Sequence, residues 1–351
     1  MLLDREQASV EDAVERLAGL QAQEPRPPYV GLWSRLAGFE RTQLEAALES
    51  RRIVRASFYR GTLHLVTGQD YVRFRSAIAP ALEAALAVLR SRAEGIDPPR
   101  LLAAARKIFD DAPRTFTELR GEVSKAFPEI ADARAMGYTV RMLLPLIAVP
   151  DRSKWGSPSD PTFTRAESWL GEALDPKADI EALVLRYLAA FGPATAADMQ
   201  TWSGLKGLKP TFETLRPRLL ALRDERGREL FDLPDAPRPH EDAPAPVRFI
   251  ADYDNLVLAH ADRRRIIAAE HRPRVVSRNL RVAATFLVDG FVAGVWRVER
   301  KKKTATLTAS PFVGLSSKQK KELEREAGPL LSFLETDAEK REIQFDAPPR
   351  L

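Results

Sequence analysis

Residues 53–67 read IVRASFYRGTLHLVT. Two alternating apolar and polar stretches, 53–58 and 62–67, flank the tripeptide Tyr59-Arg60-Gly61. Such alternation is typical of strands, and a short break containing glycine predicts a β-hairpin. Three stretches with apolar residues at helical spacing precede it, at 10–20, 29–36 and 41–48. Three helices followed by a hairpin form the pattern of a winged-helix unit.

The same order of elements returns twice along the chain. Helical spacing recurs over 101–109, 116–127 and 133–144, before an apolar run at 146–149. It recurs again over 180–191, 198–203 and 210–222, with a hairpin predicted inside 219–233. Thr115 and Thr195 each end a Pro-x-Thr tripeptide and are predicted helix N-caps. We therefore expect three tandem winged-helix units, at 1–95, 96–178 and 179–240.

The sequence pattern changes from mainly helical to mainly strand-like after residue 240. Residues 232–246 contain five prolines and are typical of a linker. Strand-like stretches follow at 247–250, 281–287, 290–297 and 304–309, with a hairpin turn at Asp289-Gly290 and a helix at 316–334. Residues 241–351 are thus predicted to form a small β-rich domain with a closing helix. The fold class is mainly α with β.

Composition excludes several classes of protein. The 351 residues are 44% hydrophobic and 29% charged, as in ordinary globular proteins, and contain neither a long apolar run nor a basic leader followed by one. The absence of cysteine excludes disulfides and thiolate metal sites and fits a cytoplasmic, nucleoid-associated protein. With only four histidines and no glycine-rich phosphate loop, we expect no metal and no cofactor.

The basic charge agrees with a polyanionic partner but does not require one. Net charge is +5 with a pI of about 9.4, and the first lysine is Lys107. Arginine in place of lysine is favoured by a GC-rich genome and also by bidentate phosphate binding. Neither explanation is excluded by the sequence.

One short motif at 19–26, GLQAQEPR, offers chemistry. Gln21 and Gln23 flank one alanine at the predicted end of the first helix; alone, such a triplet is usually a solvated helix end. Its setting resembles the winged-helix DNA glycosylase family that unhooks interstrand crosslinks, the azinomycin-resistance glycosylase-like enzymes. Further matching segments follow in order along nearly the whole chain: YVGLWSRL (29–36), SFYRGTLHLV (57–66), WSGL (202–205), DYDNLVLAHADR (252–263), VDG (288–290) and GVW (294–296).

The resemblance implies three tandem winged-helix units in a C-shaped molecule, with a barrel-like character for the β-rich domain at 241–351. It also implies that Gln21 and Gln23 form a Gln-apolar-Gln catalytic motif. A related branch has aspartate at the second position, so this chain is similar to the glutamine branch. Family-matching strings also contain Arg60, His64 and His260. The basic run Arg263-Arg264-Arg265 follows His260, and its apolar flanks predict a hairpin with a basic tip. We expect these six residues to contact DNA.

Glutamine chemistry suits such a substrate. A purine alkylated at N7 is cationic and leaves as a neutral base, so the enzyme needs mainly to place a water molecule near C1′. No lysine lies near the motif, which predicts a monofunctional glycosylase. Together with the resemblance, we expect it to act on bulky, crosslinked or N7-alkylated purines of double-stranded DNA, as a monomer and away from membranes. Two alternatives stay open: a non-catalytic winged-helix DNA-binding regulator, and a protein that sequesters a genotoxic small molecule.

Overall fold

The computed structural model describes residues 1–89, 92–151 and 160–347. The first third alternates short helices with strands. Its elements are α1 (Val10–Arg16), β1 (Leu20–Gln21), α2 (Pro27–Trp33), α3 (Arg41–Glu49), β2 (Ile53–Ser57), β3 (Leu63–Thr67), α4 (Gly68–Phe74) and α5 (Ala79–Ala85). The predicted hairpin is confirmed as β2 and β3, which pair antiparallel from Ile53 with Thr67 to Ser57 with Leu63.

The middle of the chain follows the predicted helices closely. Its elements are α6 (Pro98–Asp111), β4 (Arg114–Thr115), α7 (Phe116–Ala126), α8 (Ala133–Leu143), β5 (Leu146–Ala148), β6 (Thr162–Arg165), α9 (Ala166–Leu170), α10 (Ile180–Phe191), α11 (Ala196–Ser203), α12 (Lys209–Leu215), β7 (Leu220–Arg223) and β8 (Glu229–Asp232). Thr115 and Thr195 are confirmed as N-caps, because each forms a reciprocal capping box with the residue three positions on.

The last third is β-rich, as predicted. Its elements are β9 (Arg248–Ile250), α13 (Asn255–Leu258), α14 (Arg272–Val275), β10 (Thr285–Val288), β11 (Phe291–Lys301), β12 (Thr304–Pro311), α15 (Ser317–Leu334) and β13 (Lys340–Phe345). The strands form an open sheet in the order β13-β12-β11-β10-β9, with apolar residues of α15 packed on it. Asp289 and Gly290 both have positive φ, which confirms the predicted hairpin turn.

A six-stranded sheet crosses the predicted boundary at residue 95. Its order is β1-β3-β2-β5-β6-β4, and β2 meets β5 through the pairs Arg55–Ala148 and Ala56–Ile147. The division into three winged-helix units stays a prediction. The short strand β1 lies at one edge of this sheet, so its outer side is not covered by another described strand.

The largest hydrophobic core joins the hairpin to the third group of helices. Tyr59, which follows β2, is buried with Tyr71, Tyr187, Trp202 and Phe212. The rings of Tyr59 and Trp202 lie 4.0 Å apart. Residues of α10 and α11 therefore pack against the turn between β2 and β3.

A buried ion pair joins the N-terminal helices to the last third of the chain. Arg35 donates to both carboxylate oxygens of Asp254, at 2.9 and 2.8 Å, and the two side chains are 3% and 1% exposed. The Asp254 carboxylate also accepts from the backbone N–H of Leu256 and caps α13. This bidentate geometry is the strong form of the arginine–carboxylate interaction.

We expect Asp254→Asn to lower the free energy of unfolding by about 3–5 kcal/mol, because it leaves the buried Arg35 guanidinium without a counter-charge. Asparagine is also a good N-cap, so the cap of α13 is conserved in this variant. Urea unfolding measures the change. Glu129→Gln, in the exposed pair with Arg100, is the matched control and should leave the urea midpoint of unfolding unchanged. Equal urea midpoints for the two variants would contradict the prediction.

Candidate active site

Gln21 lies on a strand, not at the end of a helix. The predicted helix over 10–20 is too long: α1 ends at Arg16, and Ala18 and Gly19 have φ of 51° and 96°. A side chain at Gly19 would place its Cβ 2.9 Å from the Leu65 carbonyl oxygen, so this turn requires glycine. The chain then enters β1, where Gln21 pairs with His64 across the sheet.

Both glutamine side chains are held by donors. The Gln21 Oε1 accepts a hydrogen bond from Arg60 Nη2 at 2.8 Å. The Gln23 Oε1 accepts two, from the Leu63 N–H and from Arg141 Nη2, each at 3.2 Å. These partners can only donate, so the carboxamide oxygens face them and the NH2 groups point away. The two lone pairs of the Gln23 oxygen are used, whereas Gln21 accepts one bond among the described residues.

Two arginines, Arg55 and Arg60, donate hydrogen bonds to the glutamine motif. Arg55 donates to the carbonyl oxygens of Ala22 at 2.9 Å and Gln23 at 3.3 Å. Burial, with the neighbouring charge of Arg141, lowers the pKa of Arg55 to about 10. Burial likewise lowers the pKa of Arg60 to about 10. Both guanidinium groups stay protonated at neutral pH, so the motif is bound by two side chains that keep their positive charge.

A second network fixes Arg60 and the turn before β1. Arg60 donates to the Trp202 carbonyl oxygen as well as to Gln21. The Trp202 Nε1 donates to Asn255 Oδ1 at 3.3 Å, and Asn255 Nδ2 donates to the carbonyl oxygens of Leu17 at 3.1 Å and Gly19 at 2.7 Å. The strand that carries Gln21 is thus positioned by residues from α11 and α13.

Four of these positioning residues were not predicted as site residues: Arg55, Arg141, Trp202 and Asn255. Trp202 and Asn255 lie in the family-matching segments, which is a usable signal. Arg55 is the charged residue of strand β2, whose other residues are uncharged, and this is a weaker signal. No sequence signal points to Arg141, because its role depends on how α8 packs beside the hairpin.

His64, a predicted DNA contact, is completely buried (0% exposed). Its Nδ1 lies 3.0 Å from the Thr62 carbonyl oxygen, and its ring meets Tyr59 edge-on at 5.3 Å. Burial, aided by the charge of Arg60, lowers the pKa of His64 to about 3, so the ring is neutral. In this structure His64 supports the turn of Tyr59 and presents no surface to DNA.

The predicted hairpin with a basic tip at 256–267 is wrong. The segment forms the short helix α13 and a single 3-10 turn at Arg263–Arg265, because the Asp254 and Asp262 side chains cap the two turns. His260 is buried, with Nε2 3.0 Å from both the Phe191 carbonyl oxygen and Arg265 Nη1. Hydrogen bonds from nearby backbone N–H groups to the Asp254 and Asp262 side chains therefore stabilise turns here in place of the predicted strands.

The structure separates the predicted DNA contacts into two places. Arg60 lies with Gln21, and His64 lies behind them. His260, Arg264 and Arg265 line a groove of about 510 Å³ that also contains three arginines of the β7–β8 hairpin: Arg223, Arg226 and Arg228. Arg263 is half-buried and does not line this groove. Arg264 is paired with Asp262, while Arg265 donates to the Pro193 carbonyl oxygen.

Two features are absent from residues 1–89, 92–151 and 160–347. No group of three or more His, Cys, Asp or Glu side chains in that part of the chain could hold a metal ion. No helix there is long and apolar enough to cross a membrane.

Comparison with known proteins gives a consistent result. The family model described as DNA glycosylase AlkZ-like matches residues 14–333. The interstrand DNA cross-link repair glycosylase of Streptomyces sahachiroi is 25% identical over 355 residues, which cover 92% of this chain and 90% of that protein. The solved structure of Streptomyces sahachiroi DNA glycosylase AlkZ covers 98% of this chain and 95% of its own, with a TM-score of 0.79 and 22% identity. At that identity, the structural likeness establishes the fold.

The buried His64 predicts a dependence of stability on pH. Its pKa is about 3 in the folded protein and 6.5 when unfolded, so protonation favours unfolding. The stabilisation is complete above pH 6.5 and falls as the pH drops toward 3, by about 2 kcal/mol between pH 7 and 5. His64→Phe, which keeps a ring against Tyr59, should remove that part of the loss. Urea unfolding at the two pH values measures it.

His240 is exposed and is the matched control. His240→Gln should keep the pH dependence of the natural chain. A His64→Phe protein that loses as much stability as the natural chain between pH 7 and 5 would show that His64 is not the group that titrates.

Proposed function

The chain belongs to the AlkZ-like DNA glycosylase family, as the matching segments along its sequence predicted. From this premise we propose that it hydrolyses the N-glycosidic bond of bulky, crosslinked or N7-alkylated purines in duplex DNA. The observation that carries the proposal is a pair of oriented carboxamides: Gln21 on β1, the edge strand of the six-stranded sheet, and Gln23 in the bend after it. The cross-link repair activity named for the Streptomyces sahachiroi relative supports the choice of substrate.

The two glutamines take different roles in this proposal. Gln21 is the last residue of β1, and Gln23 lies two residues further along, in the bend that follows this strand. A water molecule between them donates to the remaining lone pair of Gln21 Oε1 and accepts from the NH2 of Gln23. Its second lone pair is then free to attack C1′ as the base leaves.

The amide groups set the range of substrates. A carboxamide is a poor base, so it positions water without removing a proton early in the reaction. The glycosidic bond must already be weak, as it is when alkylation at N7 makes the purine a cationic leaving group. Normal, neutral bases are therefore spared.

The surroundings of the motif support hydrolysis without a covalent intermediate. A Schiff base needs an uncharged amine near C1′. The residues that contact Gln21 and Gln23 are arginines and backbone N–H groups. The product is then an intact strand with an abasic site.

One copy of the chain is sufficient for this site. Gln21, Gln23, Arg55, Arg60 and Arg141 all come from a single protein chain. We therefore propose that a monomer acts on DNA, and its substrate would place it with the nucleoid.

We expect Gln21→Ala and Gln23→Ala each to reduce excision of 7-methylguanine by roughly 10²–10³-fold, as for removal of other pre-positioned hydrogen-bonding groups. The assay is alkaline cleavage of a 7-methylguanine duplex, with DNA affinity followed by fluorescence anisotropy and expected to stay within about twofold. Gln69→Ala, at an exposed position in α4, is the control. Full activity of Gln23→Ala, or a borohydride-trapped DNA adduct of the natural chain, would overturn the proposal.

Glutamate substitutions separate the two roles. Gln21→Glu keeps an acceptor for water and gains an ion pair with Arg60, so activity should fall much less than in Gln21→Ala. Gln23→Glu keeps the contacts to Arg141 and Leu63 but loses the NH2 donor, so its rate should fall to that of Gln23→Ala. Single-turnover excision rates measure both. An active Gln23→Glu enzyme would instead assign Gln23 to accepting a hydrogen bond from water.

A further inference from the structure

A cavity of about 300 Å³ lies immediately beside Gln23. The two sites share Arg141, whose Nη2 donates to Gln23 Oε1 while the guanidinium also lines the cavity. Tyr138 also lines the cavity. Its hydroxyl oxygen lies close to Gly61, the residue after Arg60, because a Cβ added to Gly61 would be 3.8 Å from it. The full lining is Leu89, Arg92, Phe116, Arg120, Arg134, Gly137, Tyr138 and Arg141.

Among the described residues that line the cavity, the charged ones are all arginines. Arg92 is paired with Asp132 at 2.6 Å. Arg120, Arg134 and Arg141 have no carboxylate partner within the described ranges: Arg120 donates to the Phe116 carbonyl oxygen and Thr117 Oγ1, and Arg141 donates to Ser57 and Gln23. Arg134 is exposed at the start of α8. The cavity therefore carries uncompensated positive charge.

Two partly exposed aromatic rings complete the lining. Phe116 packs against Phe163 at 4.4 Å, and the Arg141 guanidinium lies 5.6 Å from the Phe116 ring centre. Tyr138 is half-buried on α8. Partly exposed aromatic surface next to arginine is the combination by which proteins hold unstacked nucleotides, with the base on a ring and the phosphate on a guanidinium.

Charge decides which nucleotide fits. An N7-alkylated nucleotide combines a cationic base with its phosphate and is neutral overall, so these three guanidinium groups attract it less and disfavour its base. A neutral, undamaged base with its phosphate is anionic overall and is attracted. A bare phosphate would satisfy the arginines but would leave most of the 300 Å³ and both rings unused.

We propose that this cavity binds an undamaged nucleotide displaced from the duplex beside the lesion, with its base against Tyr138 and Phe116 and its phosphate on Arg134. This rests on the proposed function only in taking DNA as the substrate. Holding the displaced nucleotide keeps the duplex open next to Gln23. A bulky adduct then reaches the glutamines without entering a tight pocket itself.

The test uses undamaged DNA, so that it does not depend on excision. Fluorescence anisotropy compares a fully paired duplex with the same duplex carrying one unpaired nucleotide. We expect the natural chain to bind the second more tightly by roughly five- to a hundredfold, the range for stacking one base on an aromatic ring. Tyr138→Leu should reduce the preference to less than about twofold, whereas Tyr138→Phe should keep it.

Arg134→Gln should weaken binding of the DNA with the unpaired nucleotide and lower the slope of log affinity against log salt by about one. Arg106→Gln, an exposed arginine on α6 outside the cavity, is the matched charge control and should leave the preference unchanged. The proposal is overturned if the natural chain shows no preference. It is also overturned if Tyr138→Leu retains the preference, as recognition of bent DNA alone would allow.

The two proposals fail in different ways. Excision of 7-methylguanine without a preference for the unpaired nucleotide removes only the cavity proposal. A Tyr138-dependent preference without excision removes only the proposed reaction.

Discussion

The contact between the N-terminal helices and residues 254–255 is the constraint on which the site depends. Asp254 neutralises the buried Arg35, and the next residue, Asn255, holds the carbonyl oxygens of Leu17 and Gly19. Asn255 also accepts from Trp202, whose carbonyl oxygen binds Arg60. A segment more than 200 residues away in sequence therefore sets the angle at which β1 leaves the turn. Loss of that contact would release Gln21 from its position even if the hairpin stayed folded.

The arginines around the motif are at first sight a poor environment for a reaction with a positively charged transition state. Arg55, Arg60 and Arg141 all lie within hydrogen-bond distance of the Gln-Ala-Gln segment. A cationic purine, however, carries its charge before the bond breaks, and the charge passes to the sugar as the base leaves. Substrate and transition state then carry the same net charge, so the arginines affect binding more than the chemical step. Arg60 and Arg141 also orient the two amides by donating to their oxygens.

The sequence predicted local elements well and distant contacts poorly. The hairpin at 53–67 and the caps at Thr115 and Thr195 were correct, because strand alternation and capping are properties of adjacent residues. The helix over 10–20 was too long because its end is a turn at Ala18 and Gly19 that is set by close approach to Leu65. The hairpin expected at 256–267 was wrong because aspartates cap two short turns there. The parallel strand β13 gave no signal, since its pairing with β12 needs the intervening α15.

The sequence by itself determined the family, and it predicted the Gln21–Gln23 pair and the chemistry that two carboxamides allow. Gln21 and Gln23 could be chosen because the segments around them match the family in order along the chain. Only the tertiary structure decided how each amide is oriented, that His64 is buried, and that Arg141 joins the motif to a basic aromatic cavity. The physical reason is that residue type and spacing encode local conformation, whereas the orientation of an amide depends on donors that arrive from elsewhere in the chain. Arg60 is 39 residues from Gln21 and Arg141 is 118 from Gln23, and no local pattern records those distances.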